Sequence, residues 1–181
     1  MLIGIADHLG WAVSVIATTD HQVLDRRRIE LVEAGVPPMP VHHGVEDLAD
    51  DAARELVARV RSSALRATTA SLAELADAVP APETTIWLRT WPVDFPVEME
   101  VLRRSPWEAR ADAVMYRQVL AEVAAARGWA VRTYEAKGVE ERAAALLREQ
   151  ADEVLRGPRR HLGAPWAKDH RVALAATIAQ G

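Results

Sequence analysis

The sequence predicts an α/β fold built on a mixed five-stranded sheet, three antiparallel strands and then two parallel ones, with helices on both faces. Two observations carry this. Three β-rich runs lie within residues 2–32 and are joined by turns too short for a crossover, so they form an antiparallel meander. Two later β-rich runs each follow a stretch of helical periodicity, so they return to the sheet parallel to the first strand. The chain has 181 residues, half of them hydrophobic, which suits a single domain over 1–181 with a sizeable core.

The elements follow in order. Leu2 to Ala6 is an apolar run ending at Asp7, and His8-Leu9-Gly10 is a turn in which Gly10 can take positive φ. Trp11 to Ala17 is the second strand, Thr18 to His21 the next turn, and Val23 to Val32 the third strand, interrupted by Arg26-Arg27-Arg28. Pro37 to Pro40 is a stiff connection. Helical periodicity starts near Val45, with Leu48, Ala52, Leu56 and Arg59 on one stripe and Ala53, Val57 and Val60 beside it. A second, short helix is expected from Ser71, where Ser71-x-x-Glu74 reads as a capping box, and Pro80 and Pro82 end it.

Thr84 to Arg89 is the fourth strand. Ser105-Pro106-Trp107-Glu108 reads as a helix start, with Ser as cap, Pro at the first helical position and Glu completing the box. That helix runs to Arg127 and stops at Gly128, and Trp129 to Tyr134 is the fifth strand. A helix from Val139 to Arg156 and a last one from Lys168 to Ala179 complete the chain.

Composition narrows the chemistry. There is no Cys, so disulfides and thiolate chemistry are out, and any metal must sit on carboxylates, imidazoles or backbone oxygens. Such donors favour Mg²⁺ or Mn²⁺ over structural zinc. The net charge of −4 argues against a broad nucleic-acid surface but leaves room for a local basic groove. No apolar run approaches the roughly 20 residues of a membrane span. The N-terminus also lacks the basic region of a signal peptide, so a cytoplasmic chain with no membrane partner is expected. No Walker loop, dinucleotide fingerprint, zincin motif or nucleophile elbow is present.

If strands 1, 3, 4 and 5 are co-directional, their carboxyl ends share one edge, where open α/β sheets place ligands. Asp7, His8, His42, His43, Arg89, Glu135 and Lys137 all fall at that edge. The charged cluster Lys168-Asp169-His170-Arg171 opens the last helix. One reading places Asp169 opposite Asp7, the two sharing a divalent cation. The alternatives are a turn residue for Asp7 and a dipole-stabilised helix start for Asp169. Glu135 and Lys137 alternate onto one face. Arg26 to Arg28 read as a solvated strand edge or as phosphate contacts, and Trp166 as a platform for a base.

Gly4-Ile5-Ala6-Asp7 followed by Gly10-Trp11-Ala12-Val13 resembles the opening of ribonuclease-H-like proteins of the Holliday-junction-resolvase type, and Asp169-His170-Arg171-Val172-Ala173-Leu174-Ala175 is similar to their last motif. The resemblance implies a ribonuclease-H-like fold and a nuclease or related phosphoester hydrolase using Mg²⁺ or Mn²⁺, with Asp7 and Asp169 as metal ligands. His170 or His8 would be ligand or base, Lys168 would steady phosphate charge, and Glu135 or Asp112 would supply a further acid. The expected partners are nucleic acid (junction, duplex or single strand) and a second copy of the chain. The chain departs from the pattern at three places. Ala6 is inserted into the usual Gly-Ile-Asp, which turns the acid to the opposite face. The end of strand 4, Leu88-Arg89-Thr90-Trp91, lacks the Glu that is usual there, and Val172 replaces the second acid of the last motif. These departures support an alternative, a non-catalytic module of the same fold that binds a protein or nucleic acid; a small-molecule site built from His and Arg is a third reading.

Overall fold

Five strands form one sheet in the order β3-β2-β1-β4-β5: β1 (Leu2–Asp7), β2 (Trp11–Ala17), β3 (Val23–Glu30), β4 (Thr85–Arg89) and β5 (Ala130–Tyr134). The structure is a computed structural model that describes residues 1–81 and 83–179. β1 pairs antiparallel with β2, and β2 with β3, whereas β4 runs parallel to both β1 and β5. The mixed sheet predicted by the sequence is therefore present, and the carboxyl ends of β1, β3, β4 and β5 share an edge. β1 is central and covered on both faces, which is why it reads as an unbroken apolar run.

The remaining elements are α1 (Pro40–Gly44), α2 (Asp50–Ala78), α3 (Met99–Leu102), α4 (Glu108–Ala126), α5 (Val139–Leu147), α6 (Ala151–Arg156), α7 (Pro158–Leu162) and α8 (Lys168–Ile178). Side-chain alternation divides the sheet. Ile3, Ile5, Ile86 and Leu88 pack with Val60, Leu72, Val119 and Leu120 of α2 and α4. Ala6, Val13, Val15 and Tyr134 pack on the other face with Ala143 of α5 and Leu174 of α8. Gly4 sits directly under α8: a Cβ there would lie 1.8 Å from the carbonyl oxygen of Ala173. This close approach needs the small residues on both sides, and it seats α8 across β1.

Four expectations are corrected. Ser71 does not start a second helix, because α2 runs unbroken for 29 residues. No Gly or Pro interrupts residues 50–79, and Val60, Ala64, Thr68, Leu72 and Leu75 keep one buried stripe going. The Ser71 hydroxyl donates instead to the Glu30 carbonyl at 2.8 Å, tying α2 to β3. Ser105 does not cap α4, which begins at Glu108; the Trp107 and Glu108 amides bond to the Arg104 carbonyl, so a backbone turn leads into the helix. The helix expected over 139–156 breaks at Arg148 (φ 52°), and both Leu147 and Leu155 pack in the cluster beneath α8. β3 ends at Glu30 rather than Val32, because its partner β2 begins at Trp11, which pairs with Glu30. Pro80 follows α2 as expected, while Pro82 lies outside the described residues.

Candidate functional site

The turn after β1 forms as the sequence predicts: Gly10 takes φ 84°, and the His8 amide bonds to the Trp11 carbonyl at 2.8 Å. This fixes the end of β1, and with it the direction of Asp7. Asp7 shares alternation with Ile3 and Ile5, so its side chain leaves the sheet on the α4 face. Ala6, fully buried, takes the α8 face instead.

Two arginines hold Asp7, which is only 3% exposed. Arg117 of α4 donates from Nε to Asp7 Oδ2 at 2.8 Å and from Nη1 to the Thr90 carbonyl at 3.2 Å. Arg89 follows Ile86 and Leu88 by alternation onto the opposite face, and its Nε lies 3.5 Å from Asp7 Oδ1. The 3.5 Å approach is an ion pair without a formed hydrogen bond, and both Asp7 Oδ1 and Arg89 Nε are buried without a hydrogen-bond partner. Burial works against the charge on Arg89, but the carboxylates of Asp7 and Asp169, with Tyr134 nearby, outweigh it and push its pKa further up. Tyr134 donates to the Ile5 carbonyl at 2.7 Å, and burial pushes its phenol up to about 12.

Asp169 lies in the first turn of α8 and meets His8, whose Nε2 is 3.0 Å from Asp169 Oδ2. Contacts of α8 at Gly4 through Ala173, and at His8 through Asp169, run the helix antiparallel to β1 and bring its N-terminus to the carboxyl edge. His8 stacks on Trp11 (4.0 Å, 9° between planes), and Arg28 sits 4.2 Å over the same indole. A groove lined by Trp11, Arg26, Arg28, Pro165 and His170 continues from this ladder. Arg27 and Arg28 pair with Asp25 and Glu30 along their own strand, while Arg26 donates to the Leu162 and Gly163 carbonyls.

The other candidates are placed as follows. The His170 Nδ1 accepts the Ala167 amide at 3.1 Å, capping α8, and burial, aided by the charge of Arg26, lowers its pKa. Lys168 and Glu135 are exposed, and among the described residues neither makes an ion pair; the Arg142 guanidinium binds the backbone carbonyls of Glu135 and Lys137. Asp112 accepts the Val41 and His42 amides, both at 3.0 Å, and so holds α1 against α4. His42 and His43 make no hydrogen bond to Asp7 or Asp169. Trp166 is buried and donates to the Leu155 carbonyl at 2.8 Å, so it is core and not a stacking platform. Arg117 was not legible in the sequence: it flanks the apolar stripe of α4, where a solvated arginine is the ordinary reading.

A divalent cation is the group that the sequence resemblance implies. The donors offered do not fit one as they stand. Asp7 faces two guanidinium groups, Asp169 is bonded to His8, and among the described residues no group of three or more His, Cys, Asp or Glu is arranged to hold a metal ion.

Solved structures share the architecture. The chain is 13% identical to T. thermophilus RuvC in complex with a Holliday junction substrate, with a TM-score of 0.57 over 98% of this chain and 90% of that one. It is 11% identical to a second Thermus thermophilus RuvC structure, with a TM-score of 0.53 over 98% and 91%. No protein-family model and no curated protein matches the sequence. The protein has the ribonuclease-H-like fold of the RuvC resolvases. Among the described residues no helix is long and apolar enough to cross a membrane.

Proposed function

We propose that the protein is a nucleic-acid-binding module of ribonuclease-H-like fold that works at the carboxyl edge of its sheet without a divalent cation. The observation that carries this reading is the clamp on Asp7. The acid that the resemblance makes a metal ligand is already neutralised by Arg89 and Arg117. Two further features support it. The RuvC neighbour of the same fold is bound to a Holliday junction, and the Trp11–Arg28 ladder and its groove open beside the same edge.

The second reading is a nuclease or related phosphoester hydrolase that depends on Mg²⁺ or Mn²⁺. Asp7 and Asp169 would hold the metal, and His170, His8, Lys168 or Glu135 would assist. The proximity of both acids to Arg89 at one edge favours it.

Binding and cleavage of a four-way junction, a duplex and a single strand separate the two. The module binds with an affinity that falls as salt rises and leaves every substrate intact in Mg²⁺ or Mn²⁺. Metal-dependent cleavage that disappears in both Asp7→Ala and Asp169→Ala would overturn it. Sedimentation of the same samples tests whether the binding species is the expected homodimer.

A further inference from the structure

We infer that Arg89 and Arg117 together form a seat for one phosphodiester phosphate, taking over at this edge the place of a bound cation. The inference rests on the nucleic-acid-binding reading and names the atoms that would make the contact. A guanidinium carries five N–H donors in a fixed fork suited to phosphate. Arg117 spends Nε on Asp7 and Nη1 on the Thr90 carbonyl, and its Nη2 bonds to no described residue. Arg89 faces Asp7 through Nε and lies within reach of the Tyr134 phenol oxygen, which leaves the rest of its fork for a ligand. Their side chains are 25% and 18% exposed, so part of each reaches solvent.

Charge selects the ligand. Two guanidiniums against one buried carboxylate leave a single positive charge, and a phosphodiester carries a single negative one. Asp169, whose carboxylate also acts on Arg89, is hydrogen-bonded to His8. Asp7 holds the Arg117 fork by a hydrogen bond and draws Arg89 in by charge before the ligand arrives, which limits the ordering cost of binding. The two arginines approach from opposite faces of the sheet, so the phosphate would sit over the sheet end, where the carboxyl termini of β1 and β4 meet.

The test measures binding of a single-stranded oligonucleotide and of inorganic phosphate to the full chain in EDTA, by calorimetry. Arg89→Gln is the variant of choice, because Arg117 is needed to keep Asp7 paired. The oligonucleotide is expected to bind in EDTA, to be displaced by phosphate, and to bind ~10-fold more weakly to Arg89→Gln. Arg89→Lys, which keeps the charge without the fork, should recover only part of that loss. A thermal melt of each variant confirms that it is folded. Unchanged oligonucleotide affinity in Arg89→Gln overturns the seat and leaves the nucleic-acid reading standing. Phosphate binding that Arg89→Gln abolishes, with no oligonucleotide binding, overturns the diester and makes free phosphate the ligand. Binding that appears only with Mg²⁺ overturns both.

Discussion

The Nε of Arg117 donates to Oδ2 of Asp7 at 2.8 Å, joining residues 110 positions apart in the chain. The bond ties α4 to the end of the central strand and gives a buried carboxylate its best cation. Arg117→Leu removes that cation and leaves Asp7 with only the poorly aligned Arg89. The expected cost is about 3–5 kcal/mol in stability, the range seen when one member of a buried pair is deleted. Adding Asp7→Asn to the same variant should recover much of the loss, since the unpaired charge is gone. Urea denaturation of the single and double variants checks this; a single-variant loss under about 1 kcal/mol would place the pair with ordinary surface bridges.

Arg89 ends β4 beside Asp7, which makes a gain of metal binding testable. Arg89→Glu sets a carboxylate beside Asp7 and removes one of its cations. In EDTA the variant should melt below the wild type, because like charges now face each other. Mn²⁺ should restore its melting temperature while leaving the wild type unmoved. An equal Mn²⁺ response in the wild type would mean that the guanidinium does not keep the cation out.

Gly4→Ala tests the seating of α8. Its Cβ would fall 1.8 Å from the Ala173 carbonyl oxygen, a backbone atom that cannot move alone. The helix must lift from β1, at a cost of about 1–3 kcal/mol for an overpacked core. The same lift pulls Asp169 away from His8. Denaturation measures the first effect, and loss of the His8–Asp169 contact, read from the imidazole NMR chemical shifts, measures the second. A variant as stable as the wild type, with unchanged His8 resonances, would contradict both.

His170 predicts a pH dependence with a definite sign. Burial first, and then the charge of Arg26, lower its folded pKa below the ordinary 6.5, with Asp169 opposing. As pH falls through 6.5, the unfolded chain binds the proton before the folded one does, so stability drops. Above that pH the contribution is fully present, and below the folded pKa the loss is complete. Protonation at Nδ1 would also remove the acceptor of the Ala167 amide. The difference in unfolding free energy between wild type and His170→Gln should therefore shrink as pH falls from about 7.5 to about 5.5, one unit either side of the free imidazole value. A pH-independent difference would show that the imidazole has the same pKa in the folded and unfolded states.

The meander, both parallel returns and the last helix were legible because each rests on local signals: β-rich runs, short turns and helical periodicity. The misread helices failed for a tertiary reason. Ser71 carries a capping pattern, yet β3 lies alongside and takes its hydroxyl. The 139–156 stretch has no Gly or Pro, yet it breaks at Arg148, and both Leu147 and Leu155 lie in one cluster. At the site, the grouping of Asp7, His8 and Arg89 at one edge was readable from strand direction, whereas Asp169 was brought there by only one of two readings of the charged start of the last helix.

By itself the sequence determined the fold class and the edge that carries the candidate site. These follow from period and order, which chain chemistry sets locally. Only the tertiary structure decided what Asp7 meets. A strand residue's face is set by parity, but its partner is whichever side chain a distant helix presents there. Here α4 presents Arg117, and β4 sends Arg89 around the sheet end from the other side. No local pattern marks either contact, because long arginine side chains reach far beyond the positions that periodicity describes.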